Sequence, residues 1–220
     1  MRHGEPNRVR RSQEARRDES RGKILAAAER LFAREGLAGT RTDGIASEAG
    51  VNKALLYYYF KGKDKLYEAV VEEQLREFNR HALAVLDGPG PARELLLKYV
   101  KLHFDFISRH RRHASLFQQL MMKGGSAPER LFRKYIVPRS EALRKLLVRG
   151  MQAGEFRRMD PFHASVSIAA LIVFYFSAAP MLRLLDESDP YTGSNLKRRR
   201  REVLEFIRHA LFRKPGAVKK

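Results

Sequence analysis

Residues 40–63 concentrate side chains that hydrogen-bond to anions or pair with them. Thr40 and Thr42 come first, three consecutive tyrosines occupy 57–59, and Lys63 follows. A threonine hydroxyl beside the backbone N–H groups at the start of a helix suits a phosphate group, because a helix N-terminus attracts anions. The chemistry that this run favours is therefore the binding of phosphate groups.

Other kinds of chemistry lack the residues that they need. The chain has no cysteine, which excludes disulfides, thiolate metal sites and a cysteine nucleophile. His103, His110 and His113 lack the carboxylate neighbours and the spacing of a zinc site. We find neither a Gly-x-Ser-x-Gly motif, nor a phosphate-binding glycine loop, nor a carboxylate pair placed for acid and base roles. We expect no enzyme activity, no metal and no cofactor.

The elements that must position the binding run are helices. Apolar residues from Arg21 onward recur at helical spacing, and no stretch shows the alternation of a strand. Gly50 can end a helix, Asn52 can cap the next one, and Pro138 is expected to kink or divide a later one. The predicted helices cover 21–36, a short segment between Thr40 and Gly50, then 52–59, 65–86, 92–108, 114–123, 128–153, 161–185 and 196–212. The predicted fold class is all-α.

Two of these helices form a recognisable pattern at about residues 41–60. A short helix, a turn containing glycine and a second short helix bury a common set of apolar side chains, which fix the angle between the helices. Those side chains are Ile45, Ala46, Ala49, Val51, Leu56 and Phe60. In such a helix-turn-helix the second helix presents its N-terminal residues to the major groove of DNA, and the first meets the phosphate backbone.

Residues 21–66 resemble the DNA-binding domain of the TetR (tetracycline repressor) family of transcriptional regulators. The resemblance rests on Ala-Gly-Val at 49–51 and on Leu-Tyr-x-Tyr-Phe-x-x-Lys at 56–63. Early in the second helix the family often has Ser and then Gly, whereas Asn52 and Ala54 keep the cap chemistry and the small size. The resemblance implies a homodimeric repressor that binds a pseudo-palindromic, double-stranded DNA operator. A small-molecule effector would lower its operator affinity.

The candidate DNA contacts lie in the helix-turn-helix and just after it. Lys53, Leu55 and Tyr58 are candidates for contacts in the groove, and the resemblance assigns phosphate contacts to Tyr57 and Tyr59. Three adjacent tyrosines on a helix cannot all point inward, so at least one faces out. The full set is Thr40, Arg41, Thr42, Asn52, Lys53, Ala54, Leu55, Tyr57, Tyr58, Tyr59 and Lys63.

The net charge of +19 first indicates a polyanionic partner, with 44 Lys and Arg against 25 Asp and Glu. Much of the excess lies at the two ends of the chain. The Lys197–Arg201 cluster and the tail at 214–220 are assigned to solubility, to long-range steering or to an unknown acidic partner. The arm at 1–20 is poor in apolar residues and is expected to lack fixed structure. Its arginines are either solvated or reach a phosphate or a minor groove: Arg8, Arg10, Arg11, Arg16 and Arg17.

The predicted domains are a helix-turn-helix domain at 21–66 and a helical ligand-binding and dimerisation domain at 67–213. The resemblance implies that the last two long helices pair with those of a second copy. The candidate interface residues are Ser167, Leu171, Phe174, Val203, Leu204, Ile207 and Leu211. Aromatic and flexible apolar residues either enclose an effector pocket or are ordinary core: Tyr99, Phe104, Phe117, Met121, Tyr135, Ile172 and Tyr175.

An uncharged run of nineteen residues, Ala164–Leu182, is long enough to span a bilayer. Its serines, its proline and the charged residues on both flanks favour burial in a core and an interface instead. We therefore predict a cytoplasmic protein with no membrane partner. The competing interpretation is a basic peripheral-membrane or nonspecific nucleic-acid-binding protein, which rests on the net charge and the uncharged run.

Overall fold

The computed structural model describes residues 5–110, 117, 119–122, 124–186 and 188–213, with side chains from residue 15 onward except that of Asp186. Residues 1–4, half of the residues of the predicted helix at 114–123, and the tail at 214–220 lie outside this part. The described residues form helices and no sheet, which confirms the all-α fold class. In chain order the elements are α1 (Glu5–Gly39), α2 (Thr42–Ala49), α3 (Lys53–Phe60), α4 (Lys63–Leu86), α5 (Ala92–Arg109), α6 (Ser126–Leu131), a π-helical turn (Phe132–Ile136), α7 (Val137–Gln152), α8 (Pro161–Ser177), α9 (Ala179–Asp186) and α10 (Gly193–Leu211).

Helix α1 begins much earlier than the sequence predicts. Residues 5–20 are helical, so the prediction of a segment without fixed structure is wrong for them. Between Pro6 and Gly22 the segment contains no helix breaker, and a proline in the first turn removes only an N–H that has no helical partner there. Within α1, Glu19 Oε1 lies 2.6 Å from Lys23 Nζ one turn later, a pairing that favours the helix.

Two prolines mark where later helices divide. Pro138 lies in the first turn of α7, directly after the π-helical turn, which confirms the predicted division there. The single helix predicted for 161–185 is wrong, because α8 and α9 are separate helices bent by 74°. Pro180 stands in the first turn of α9, where its ring displaces the preceding turn and its missing N–H interrupts the hydrogen-bond ladder. Among the described helices, none alone has the length and apolarity to cross a membrane, although α8 and α9 together reach both.

The chain divides into two compact units, Met1–Gln74 and Leu75–Lys220. The division falls inside α4, whereas the sequence predicts a boundary between residues 66 and 67, close to the start of α4. The difference arises because the first half of α4 packs into the first unit. There the buried ring of Tyr67 meets Phe32 of α1 edge-on, with the ring centroids 5.0 Å apart. Burial raises the pKa of the Tyr67 phenol to about 12.

The second unit has a core built from the latter part of α4 together with α5, α7, α8 and α10. The loop after α7 closes tightly onto this core. A Cβ on Gly150 would lie 2.3 Å from ring atoms of Phe156, so only glycine fits there. The carboxylate of Glu155 accepts hydrogen bonds from the backbone N–H groups of Ala92 (3.0 Å) and Arg93 (2.9 Å), and it thereby caps α5.

Candidate nucleic-acid interface

Helices α1, α2 and α3 pack around a small apolar core that sets the direction of α3. Ile45 and Leu56 are fully buried, and Phe60 is buried at the end of α3. These are the residues that the helix-turn-helix pattern predicts for the inner faces, apart from Val51, which is half-buried. Arg30 of α1 adds a surface link, with its Nε donating to Glu48 Oε1 of α2 at 2.6 Å.

The turn between α2 and α3 is determined by local hydrogen bonds. Gly50 has φ 65°, a left-handed conformation that glycine adopts without steric cost, and Val51 N–H donates to Ala46 O at 3.0 Å. Asn52 then caps α3, because its Oδ1 accepts from Leu55 N–H at 2.8 Å. The predicted cap is confirmed, and the Asn52 side-chain oxygen is engaged in positioning α3.

The outer face of α3 presents polar and aromatic side chains to solvent. Tyr58 is 60% exposed and Tyr57 is 44% exposed, which confirms that at least one of the three tyrosines faces out. Tyr59 is half-buried and meets the Tyr58 ring edge-on at 5.2 Å. Among the other candidates on α3, Ala54 is exposed and Leu55 is half-buried.

Lys53 at the start of α3 is paired with a carboxylate of α2. Its Nζ lies 2.9 Å from Asp43 Oδ1, and both side chains are largely exposed. The hydrogen bond to Asp43 and the attraction of its charge raise the pKa of the Lys53 ammonium. The pair with Asp43 thus holds the Lys53 ammonium near the N-terminal end of the outer face of α3. Any other anion or hydrogen-bond acceptor that approaches Lys53 must compete with Asp43 for it.

A surface cleft of about 310 Å³ lies beside this face, at the start of α2. Lys63 is anchored in it, because its Nζ donates to the backbone carbonyls of Thr40 (3.1 Å) and Ala38 (3.4 Å). The N-cap residue of α2 is Arg41, whose side chain makes no capping hydrogen bond within the described part of the chain. The residues that line the cleft are Ala38, Thr40, Arg41, Thr42, Asp43, Tyr57 and Lys63. Two cations, a phenol and the positive end of a helix dipole together suit a phosphate group.

The side chain of Thr40 does not lie on the surface, where a DNA contact would require it. Its side chain is buried, and its hydroxyl donates to the carbonyl of Gly36 at 2.7 Å, so the prediction that it contacts DNA is wrong for this side chain. Gly36 breaks the α-helical path with φ 73° and ψ 175°, and the hydroxyl bonds the carbonyl at that break. Thr42 is half-buried at the cleft, and Arg41 is exposed there. Sequence reasoning missed Ala38, which contributes only a backbone carbonyl and so carries no side-chain signal.

The arginines of the predicted arm are partly described. Arg16 and Arg17 are exposed on α1, and they therefore project from a helix rather than from a flexible segment. The side chains of Arg8, Arg10 and Arg11 lie outside the described part of the structure.

The predicted dimer residues fall into two groups. Val203 and Ile207 are buried in the core of their own protomer, so the prediction that they form the interface is wrong for both. Ser167 and Phe174 are exposed on α8. Leu171, Leu204 and Leu211 are half-buried.

Exposed apolar side chains form a row on α8, of which sequence reasoning predicted Phe174 but missed Phe162 and Val166. Phe162, Val166 and Phe174 are each more than half exposed and stand at multiples of four residues, on one face of the helix. Phe206 of α10 is exposed as well, and it lines a groove of about 320 Å³ between α8 and α10. The spacing of four was the signal that could have identified this face.

The predicted pocket residues lie in different environments. Tyr99, Phe104, Tyr135 and Ile172 are buried in the second unit. Tyr175 is half-buried, with Arg199 over its ring and Phe104 6.5 Å away between centroids. Phe117 is half-buried and Met121 is 37% exposed, both at the edge of the described residues. That these residues enclose one pocket stays a prediction.

Comparisons with known proteins agree with this architecture. Residues 24–70 match the model of the bacterial regulatory proteins of the tetR family, and residues 93–207 match that of the tetracyclin repressor-like C-terminal domain. The HTH-type transcriptional repressor NicS of Pseudomonas putida is 31% identical over 164 residues, which are 73% of this chain and 77% of that protein.

Two solved structures have the same fold. A transcriptional regulator from Saccharomonospora viridis in complex with choline superposes with a TM-score of 0.74 at 23% identity, covering 90% of this chain and 100% of that one. FadR from Bacillus subtilis in complex with stearoyl-CoA has a TM-score of 0.68 at 22% identity, covering 84% and 96%. The family-model matches and the relative NicS favour a DNA-binding transcriptional regulator over the peripheral-membrane interpretation. With its helix-turn-helix and its matches to both family models, the chain belongs to the TetR family of bacterial transcriptional regulators.

Proposed function

We propose that the protein is a homodimeric repressor that binds a pseudo-palindromic operator and releases it when a small molecule binds to the second unit. The similar regulator NicS is named a repressor, and the similar structures include one with choline and one with stearoyl-CoA. In this proposal the effector prefers one spacing of the two DNA-reading heads and thereby shifts the population away from the operator-binding state.

The observation that carries the DNA-binding part is the cleft at the start of α2 beside the outer face of α3. A phosphate in the cleft would meet Arg41, Lys63 and the first N–H groups of α2. The neighbouring outer face of α3 would then read bases through Lys53 and Tyr58, which are exposed. One phosphate contact thus sets the register of the helix that reads the sequence.

The apolar face of α8 supports the dimeric part of the proposal. Phe162, Val166 and Phe174 expose large apolar surface in one row, and contiguous exposed apolar surface marks sites of association. A dimer that binds a two-fold symmetric operator needs its two copies of α3 about 34 Å apart, or a multiple of that, along the DNA.

Binding to a selected duplex tests the DNA-binding part. An operator is first selected from a random pool by repeated binding, and affinity is then measured by fluorescence anisotropy. We expect the selected duplex to contain an inverted repeat and to bind about a thousandfold more tightly than random duplex at physiological salt. Equal affinity for both duplexes would contradict the proposal and favour nonspecific nucleic-acid binding.

Sedimentation tests the dimeric part. We expect the chain to sediment as a dimer at micromolar concentration, and Phe174→Glu to sediment as a monomer, because a charge cannot be buried in an apolar interface. Met122→Glu makes the same kind of change at a side chain that is 80% exposed on a different segment, and this control should remain dimeric. A monomeric wild-type chain would overturn the dimer.

A further inference from the structure

The second unit holds a positive charge among aromatic core residues. Arg139, near the start of α7, places its guanidinium carbon 4.8 Å from the ring centroid of Phe78 on α4. Its Nη1 donates to Asn79 Oδ1 at 2.7 Å. The phenol of Tyr99 on α5 is a further hydrogen-bonding neighbour, and burial lowers the pKa of Arg139. Three helices therefore converge on this one cation.

A second hydrogen bond, made by the amide nitrogen of Asn79, fixes the orientation of its side chain. Its Nδ2 donates to the backbone carbonyl of Tyr135 at 2.7 Å, in the π-helical turn just before α7. The amide oxygen must then face Arg139, as it does. Such π-helical turns are frequent at functional sites. The arrangement holds the guanidinium in one position by neutral groups alone.

No carboxylate of the described residues forms an ion pair with Arg139; its neighbours there are an amide, a phenol and an aromatic ring. Other arginines of the second unit do have acidic partners, such as Arg200, whose Nη1 lies 2.7 Å from Asp105 Oδ1. A desolvated cation without a counter-ion is unfavourable, because neutral groups only partly replace the water that it loses. A desolvated guanidinium without a carboxylate partner in the described part of the protein is suited to binding an anionic ligand.

The chemistry of the site limits what that anion can be. A guanidinium carries five N–H donors in a planar fork that matches a carboxylate, and Asn79 and Tyr99 together do not take all of them. Arg139 is half-buried rather than sealed, so the fork is reachable. The walls around it are the buried rings of Phe78 and Tyr99, which favour an apolar body behind the acid group.

We propose that Arg139 binds the carboxylate of the effector, which is an apolar organic acid. This inference rests on the proposed effector response of the second unit. Asn79 and Tyr99 are positioning residues, which hold the guanidinium fork toward the acid. The charge-assisted fork hydrogen bonds would make an acid bind more tightly than its neutral counterpart by about tenfold to a hundredfold.

Matched pairs of ligands test this on the full-length wild-type protein. Octanoate, dodecanoate and phenylpropanoate are each compared with their own primary amide by isothermal titration and thermal shift. We expect at least one acid to bind, and to bind at least about tenfold more tightly than its amide. Absence of binding by all three acids, or equal affinity for acid and amide, would overturn the proposal.

Variants then assign the preference to Arg139. Arg139→Gln keeps a donor toward Asn79 but loses the charge, and we expect it to bind acid and amide equally. Arg149→Met removes an exposed arginine from the same helix and should keep the preference for the acid. An acid preference that persists in folded Arg139→Gln would overturn the assignment. If that variant does not fold, the wild-type acid and amide affinities decide.

Operator binding is measured separately, so that the two proposals can fail independently. An acid that binds through Arg139 without changing operator affinity would contradict the effector response and leave the anion site standing. Release of the operator by an amide as effective as its acid would support the effector response and contradict the anion site.

Discussion

The two units each hold a cation, the first in an open surface cleft and the second against aromatic rings of the core. In the first unit Lys63 is anchored by two backbone carbonyls in an open cleft, beside exposed Arg41. In the second unit Arg139 is half-buried, enclosed on one side by the ring of Phe78, and held by the neutral groups of Asn79 and Tyr99. An open cation is screened by water and salt, whereas an enclosed one interacts strongly with the few groups that reach it.

The two units are therefore suited to different kinds of anion. Surface cations spread over a helix-turn-helix match a polymer that offers a phosphate at every step, and each contact is modest. A single enclosed cation matches one small molecule with one acid group.

The largest effect is expected from Gly150→Ala, which tests how tightly the second unit is packed. A Cβ there would lie 2.3 Å from the buried ring of Phe156 and 3.0 Å from Ala92 Cβ. We expect the variant to lose about 2–3 kcal/mol of unfolding free energy, because a well-packed core cannot take the added methyl without strain. Urea denaturation followed by circular dichroism measures it.

Gly22→Ala in the first unit is the matched control. Nothing lies within 4 Å of a Cβ at that position in α1, so alanine should stabilise the helix by about 0.5–1 kcal/mol. Equal stability of the two variants would mean that the loop after α7 adjusts freely and that the second unit is not tightly packed there.

The next effect concerns the open cleft. We expect Lys63→Ala to weaken operator binding about tenfold and to reduce the slope of log affinity against log salt by about one, because one phosphate contact is lost. Lys65→Ala on the same helix removes an exposed lysine that pairs with Glu68 and is the control. Affinity and salt dependence are measured by fluorescence anisotropy over a salt series. If both are unchanged in Lys63→Ala, the cleft is not part of the DNA interface.

A smaller effect of opposite sign is expected from Asp43→Asn. Without the carboxylate, Lys53 no longer has a competing partner, so affinity for random duplex should rise severalfold. Lys53→Ala should instead weaken operator binding. The control is Glu129→Gln, which releases Arg133 from a similar exposed pair in the second unit and changes the net charge equally. A rise of the same size in both acid-to-amide variants would point to net charge alone.

The smallest effect is expected from removal of residues 214–220. This removes part of the basic excess but none of the groups placed at the cleft or on the outer face of α3. We expect the ratio of affinities for selected and random duplex to stay the same, since that ratio depends on base contacts. A lost preference for the selected duplex would show that the tail takes part in reading DNA.

The helix-turn-helix was predictable because its determinants are local. Gly50 and Asn52 act on atoms only a few residues away, through a left-handed turn and a side-chain cap, so sequence order already places the interacting groups together. The tyrosine run was predictable in the same sense, since helical geometry forces one ring outward. The polar composition of residues 5–20 predicts no fixed structure, yet the segment has no helix breaker after Pro6 and is helical.

The sequence by itself determined the all-α class, the helix-turn-helix and the family, since these depend on periodicity and on contacts within a few residues. Only the tertiary structure decided which side chains are turned inward or outward by distant packing. It buried Thr40, Val203 and Ile207, which had been assigned to binding surfaces, and it brought Arg139 against Phe78 of another helix. Contacts between residues far apart in the chain follow from the angles at which helices pack, and no short stretch of sequence encodes those angles.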